Sequence, residues 1–437
     1  MEPQNTKIGN TCFQKRWGPT AYTCLNLNHT KHRKRVEDGI TISIDDHTPS
    51  KIYRSGSTVK GVVEIKPRAP LHYTRIAIKL VCESSVQLPQ RHSETFHRHL
   101  DLTMPVEERL VPRGENGYWV NSYLQAGQTY TIPFSFELSD PHDLEACPHD
   151  VESPGVRELH RQLPPSLAGI DRDAMVPHGI RIDYTLIVTL TDRNWTQERV
   201  SQTIRFMPRF SKQPGLDISS TTSTLKFRAT QQLKSGDFPG GTGQITLSAD
   251  EPNVLVLKDS GRSYQATDII TSLHLESSKS QPAIPSKCIV SATLESQTWS
   301  QTKPIQNLPH ITKAKNCHSV SEPLMRNLEF SLVWEKASPG DTKVAGSKAV
   351  NTFRAQVKIS LPGLSAVKRV YLPSFYSCLI ARTYCLHVLI IIASVPLRLV
   401  LPLQMALESD EDNDTGPGNN VGLPMPESLD DPLASDD

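Results

Sequence analysis

Between Gly179 and Leu190 the chain places Ile182, Tyr184, Leu186, Val188 and Leu190 in one alternating set and Arg181, Asp183, Thr185 and Thr189 mostly in the other. Successive side chains of a strand point to opposite faces, so this period describes a strand packed on a core along one side and wet along the other. Upstream, Val59, Gly61, Val63 and Ile65 repeat the period, and Ser55-Gly56-Ser57 supplies a turn ahead of them. The same rhythm predicts strands over 40–44, 58–65, 75–86, 128–136, 181–192 and 200–207. It resumes over 225–228, 244–249, 253–257, 269–276, 287–299, 328–335 and 353–361, with Asp259-Ser-Gly-Arg262 as a hairpin turn. A chain patterned in this way folds as layered β-sheet.

One stretch competes with that reading. Residues 386–403 form the most apolar run in the chain. A membrane-spanning helix needs about 20 consecutive apolar residues. Arg398 inside the run would cost roughly 2.5–3.5 kcal/mol on an insertion scale, and Pro396 and Pro402 break a helix. Alternation through Tyr384, Leu386 and Val388, and again through Val395, Leu397, Leu399, Leu401 and Leu403, instead predicts two buried strands turning near Ala393-Ser394.

The 437 residues are 37% hydrophobic and 21% charged, enough apolar material for real cores, and the 33 prolines fall between the strand patterns. A formal net charge of +1 gives no global field to draw nucleic acid or an anionic membrane, so a charged partner would have to meet a local patch. The eight cysteines (Cys12, Cys24, Cys82, Cys147, Cys288, Cys317, Cys378 and Cys385) are scattered, with no Cys-x-x-Cys pair. Cys12 and Cys24 with His29 and His32 have the wrong spacing for a zinc site, so no metal is expected. The polar N-terminus lacks the apolar core of a secretory signal, which places the protein in the cytoplasm and sets aside the glycosylation patterns at Asn28 and Asn194.

The expected organisation is a disordered basic arm over 1–38, a β-sandwich over 39–208, a hinge over 209–224, a second β-sandwich over 225–408 and an acidic disordered tail over 409–437. The arm ends in Lys31-His-Arg-Lys-Arg35, a solvated segment, a weak nuclear-import signal or a contact for acidic lipid. The hinge carries Ser219-Ser-Thr-Thr-Ser-Thr224, and the tail opens on an acidic block in which Ser409 is a candidate phosphorylation site. Two connections, 87–117 and 139–161, are long for a compact domain and are the first places to look for partner contacts.

Chemistry-bearing patterns are sparse. Gly-x-Ser-x-Gly is absent, and Gly240-Gly-Thr-Gly243 lacks the Gly-Lys-Ser/Thr of a phosphate-binding loop. His92, His97 and His99 lie close together beside Glu94 in a polar segment. They read as surface residues, and with Arg91 and Arg98 as a pH-sensitive contact surface at most. Trp119 and Trp334 read as core. No catalytic residue and no cofactor is expected.

Three motifs carry a resemblance. Tyr53, Gly56, Val59 and Gly61 match a "Tyr-x-x-Gly-x-x-Val-x-Gly" strand; Pro133, Phe134, Phe136 and Leu138 match "Pro-Phe-x-Phe-x-Leu"; Leu163, Pro164, Pro165 and Ser166 match "Leu-Pro-Pro-Ser", ahead of the strand bearing Tyr184. In this order they resemble the N-terminal domain of the arrestin family, the alpha-arrestins and their fungal relatives above all. Tyr376 to Tyr384 echo a strand of the family's C-terminal domain. The resemblance implies an all-β chain of two consecutive Ig-like sandwiches acting as a non-enzymatic adaptor. Such an adaptor grips cytoplasmic tails of membrane transporters or receptors and links them to ubiquitin-dependent endocytosis and sorting, with recruitment to plasma membrane or endosomes. Against the family pattern, residues 139–161 are an insertion. The Pro-Pro-x-Tyr segment through which alpha-arrestins recruit a HECT-type ubiquitin ligase is missing: the only Pro-Pro is Pro164-Pro165. A cargo-sorting or scaffold subunit without a ligase is therefore the alternative.

Overall fold

The computed structural model describes residues 39–87, 94–106, 123–139, 147, 149–151, 154–167, 175–192, 194–195, 197–209, 227–234, 242–258, 261–278, 283–308, 317–336, 351–361 and 370–408. In chain order these form β1 (Ile40–Ile44), β2 (Ile52–Tyr53), β3 (Thr58–Ile65), β4 (Leu71–Gln87), β5 (Glu94–Met104), β6 (Tyr123–Leu124), β7 (Tyr130–Glu137) and helix α1 (Pro154–Arg161). Then come β8 (Ile180–Asp192), β9 (Gln197–Phe206), β10 (Phe227–Leu233), β11 (Gly243–Ala249), β12 (Leu255–Lys258), β13 (Ser263–Tyr264), β14 (Thr267–Ser277) and β15 (Lys287–Ser300). The last are β16 (Cys317–Ser331), β17 (Glu335–Lys336), β18 (Asn351–Leu361), β19 (Phe375–Tyr376), β20 (Ile380–Ile392), β21 (Val395–Leu403) and β22 (Met405–Leu407).

The chain is all-β apart from one short helix, as its alternating patterns predict. Sheet β1-β3-β7 faces sheet β2-β9-β8-β4-β5 across one apolar core that includes Val59, Val63, Phe134, Ile182 and Leu186. Sheet β10-β11-β14-β18-β17 faces β16-β15-β20-β19, with β21 on β20, across a second core that includes Leu247, Leu273, Val290 and Leu399. The two cores are not closed off from each other. Leu372, Phe375, Leu379 and Ile380 belong to the first, whereas Tyr384, Leu386, Val388 and Ile390, further along the same segment, belong to the second. Strand β12 pairs with β13 across the turn expected at 259–262.

The apolar run is a β-hairpin. Ile392 pairs with Val395, and the two residues between them, Ala393 and Ser394, have φ of 46° and 72°. Positive φ at both central residues is what a two-residue turn of the type I′ kind requires, because its twist matches that of the flanking strands. Among the described residues, no helix is long and apolar enough to cross a membrane.

Two long connections contain structure that the alternation did not reveal. Within 87–117, β5 pairs with β4 from Ile78↔Met104 to Gln87↔Glu94. Its polar composition suits an edge strand, since Lys79–Asp101 at 3.0 Å and Arg98–Glu83 at 3.4 Å tie its charges across the pair. Within 139–161 lies α1, whose Pro154 occupies the first helical position and whose Val156 and His160 share one buried face. Strand β16 also starts at Cys317, well upstream of the expected 328, because its first half is a polar edge opposite β15. The basic arm, the segment 210–226, Trp119 and the acidic tail lie outside the described residues.

The hairpin gives a stability test. Ala393 and Ser394 hold positive φ without the side chains that favour it, a strain of about 1–2 kcal/mol per residue. The double substitution Ala393→Asn with Ser394→Gly is expected to raise the urea midpoint, by about 1 kcal/mol or more in stability; an unchanged or lowered midpoint would refute the strain.

Candidate functional site

The motif residues converge on one corner of the first sandwich. Gly56, with φ of 80°, donates its N–H to the Leu138 carbonyl at 2.7 Å, and Leu138 N–H returns to Ser57 at 3.0 Å, so the turn is clipped to the end of β7. Val59 is fully buried, and Gly61 faces Phe134 in the β3–β7 register. A side chain at Gly61 would place its Cβ 2.1 Å from the Ser43 carbonyl oxygen of β1, so only hydrogen fits. Phe134 and Phe136 point into the core, whereas Pro133 sits on the exposed face of β7, at the border of its sheet, where a missing N–H is tolerated.

Leu163, Pro164 and Pro165 are buried alongside. The Tyr184 hydroxyl donates to the Pro164 carbonyl at 2.7 Å, and its ring lies 4.8 Å from that of Phe206. The Ser166 hydroxyl accepts from Phe206 N–H at 2.9 Å, and Met207 N–H reaches Tyr53 O at 2.9 Å. These motifs are therefore one framework device that fixes the loop after α1 to β2, β8 and β9. They hold the fold. Ser409 and Lys31 to Arg35 lie outside the described residues.

Reactive side chains gather elsewhere, where the 139–161 insertion meets the second half of the chain. Cys147 and His160 are buried, and so is Cys378, between β19 and β20. The Cys147 sulfur lies 3.7 Å from His160 Nδ1 and 3.8 Å from His149 Nδ1. The ring of His149 is 4.8 Å from that of His97, and His97 stands edge-on to His99 at 4.6 Å. His99 is buried rather than on the surface: its Nε2 meets Ser84 Oγ at 3.0 Å, and its Nδ1 has no hydrogen-bond partner among the described residues. Burial, helped by His97, His160 and His149, holds His99 well below the usual imidazole range, so it is neutral. Hydrogen bonding from Cys378, and then from His149 and His160, pulls the Cys147 thiol far below its ordinary range against the opposing effect of burial. The partnership with Cys147, with burial, drives the Cys378 thiol upward.

Beside this cluster, Arg382 is fully buried, with Nη2 3.5 Å from the Met175 carbonyl and Nη1 3.8 Å from its sulfur. Thr298 Oγ1 donates to the same carbonyl at 2.8 Å. On the other face of β15 and β20, Trp299 Nε1 donates to Thr383 Oγ1 at 2.9 Å, and Leu159 of α1 packs on the small cluster of Trp299, Ile305, Tyr376 and Ala381. Farther along that face, Glu295, Cys385 and His387 form a second trio, with His387 Nε2 2.5 Å from Glu295 Oε2. Linear spacing hid the first cluster, because its members come from β5, the insertion and the approach to β20. His92, Arg91 and the Cys12/Cys24 group lie outside the described residues. Exposed Arg98 pairs with Asp101 at 2.8 Å.

Residues 40–208, less than half of the chain, match the family model described as Arrestin (or S-antigen), N-terminal domain. No curated protein matches the chain. The matched segment coincides with the first sandwich and contains every residue of the three motifs.

Two substitutions separate framework from seam. Tyr184→Phe leaves the buried Pro164 carbonyl without its donor and is expected to cost about 1–3 kcal/mol in denaturant titrations, whereas Thr298→Val, which leaves Met175 the longer contact from Arg382, is expected to cost about 1 kcal/mol. The exposed control Tyr123→Phe should change nothing measurable. A neutral result for either buried site would show that its carbonyl is satisfied in another way.

Proposed function

We propose that this protein is a non-enzymatic adaptor that binds cytoplasmic segments of membrane transporters or receptors and links them to ubiquitin-dependent endocytosis and sorting. The observation that carries the reading is the match of residues 40–208 to the arrestin N-terminal domain, together with a second β-sandwich that follows it in the same chain. Surfaces and edges are what such an architecture offers a partner. Strand β16 has a neighbouring strand on one side only among the described residues, and Leu328 and Val333 near its end are 48% and 78% exposed. An extended cargo segment added there would gain main-chain hydrogen bonds from the edge and selectivity from these apolar contacts.

One sequence fact favours a second reading, a sorting or scaffold subunit with no ligase. Pro-Pro-x-Tyr is absent, and the single Pro-Pro is buried in the framework under Tyr184, out of reach of a WW domain. Affinity purification of the tagged full chain decides between them. Co-purification of membrane transporters with a HECT-type ligase, weakened by Leu328→Asp with Val333→Asp, is the expected outcome. Coat or sorting subunits without ligase would transfer the protein to the second reading, and recovery of neither set would overturn both.

A further inference from the structure

Cys147, His160 and Cys378 each bring one donor atom within 4.8 Å of the other two, and all three are buried. Cys378 is also grouped within that distance with His97 and His99. In a tetrahedral zinc site with Zn–S of about 2.3 Å and Zn–N of about 2.0 Å, sulfur and nitrogen stand roughly 3.5 Å apart. The Cys147–His160 separation of 3.7 Å is close to that figure. A second observation is independent of the distances. His99, close to Cys378, has a buried imidazole nitrogen, Nδ1, with no hydrogen-bond partner among the described residues, a costly state that a nearby metal ion would relieve. In His99 the other nitrogen is held by Ser84 Oγ, the arrangement that orients a metal-ligating imidazole.

We propose that Cys147, His160 and Cys378 supply three ligands of a structural zinc site that fastens the 139–161 insertion to the second half of the chain, the fourth position falling on the imidazole side of Cys378. Two sulfurs and an imidazole nitrogen suit borderline-soft zinc, and the burial of all three residues leaves no path for substrate. The competing uses fit less well. A nucleophilic Cys–His pair needs access to substrate, and Cys147 is only 5% exposed. The trio of Glu295, Cys385 and His387 is a poorer metal cage, because its carboxylate and imidazole already bond each other and the His387 side chain is 42% exposed. The zinc would bind as the thiols release their protons, so affinity would fall with acidification. The inference is independent of the adaptor reading, since zinc content can be measured without any cargo.

The test is metal analysis of the full chain, purified under reducing conditions with a tag that carries no histidine. Stoichiometric zinc is expected in the wild type and in Cys385→Ser, and loss of that zinc in Cys147→Ser and Cys378→Ser. Cobalt substituted for zinc in the wild type should show thiolate-to-metal charge-transfer bands and tetrahedral d–d bands, a readout that stands even if the variants fail to fold. Reduced wild type that takes up neither zinc nor cobalt would overturn the proposal. So would zinc retained in Cys147→Ser with Cys378→Ser, zinc lost in Cys385→Ser, or a Cys147–Cys378 disulfide in place of metal.

Discussion

Everything else in this fold depends on one segment, residues 371–392, having to serve two cores. Phe375, Leu379 and Ile380 fill the first and Tyr384 to Ile392 the second, so the crossing between them falls at Ala381, Arg382 and Thr383. A strand that leaves one apolar interior for another meets backbone and side-chain groups that neither interior can satisfy. The structure meets this with polar partners: Met175 supplies a carbonyl to Arg382 and Thr298, Thr383 takes the Trp299 indole, and the Tyr384 hydroxyl donates to Leu372 O at 2.8 Å. Taking a guanidinium out of water costs several kcal/mol even after relaxation, so the crossing is a place where stability is given up for a defined geometry.

The insertion gains its meaning from the same crossing. A loop of that length on an isolated sandwich would be solvated and variable, but here α1 lays Val156 and His160 inward and Leu159 against the Trp299 cluster. Its contact with the second half combines the Cys147, His160 and Cys378 cluster with the packing of Leu159. The two sandwich cores, by contrast, are almost wholly apolar. Changes of pH, redox state or metal supply therefore have a concentrated target at the junction, where two thiols and several imidazoles stand together.

The framework was legible in the sequence because its signals are local. Alternation located β1, β3, β8 and the β20–β21 hairpin, and the turn at Ala393-Ser394 followed from the switch between two apolar runs. Proline, glycine and tyrosine in the three motifs marked positions whose backbone demands are visible without a structure. β5 and the first half of β16 were missed since charged and polar residues dominate an edge strand and leave only a short apolar period, Leu100, Leu102 and Met104 in β5, while its pairing is stabilised by cross-strand charges that a linear reading does not see. α1 was missed since eight residues carry too little periodicity to stand out. The Cys/His cluster was missed for a different reason. Metal-like spacing in sequence presupposes ligands on one or two neighbouring turns, whereas Cys378 stands far along the chain from Cys147 and His160 and meets them only through the fold.

The absence of Pro-Pro-x-Tyr and the position of Pro164-Pro165 belong to the same picture. A proline pair is useful to a WW domain when its extended backbone is solvated and its rings exposed. Here the Tyr184 hydroxyl occupies the Pro164 carbonyl, both rings are buried, and Ser166 and Leu167 bond to β9 and β8. Releasing the pair would expose the core beneath Leu163 and Leu167 and undo the clip that joins the insertion to the sandwich. Pro164-Pro165 therefore serves the framework and not a WW domain, and β16 is an edge that the topology of the described residues leaves open to a partner.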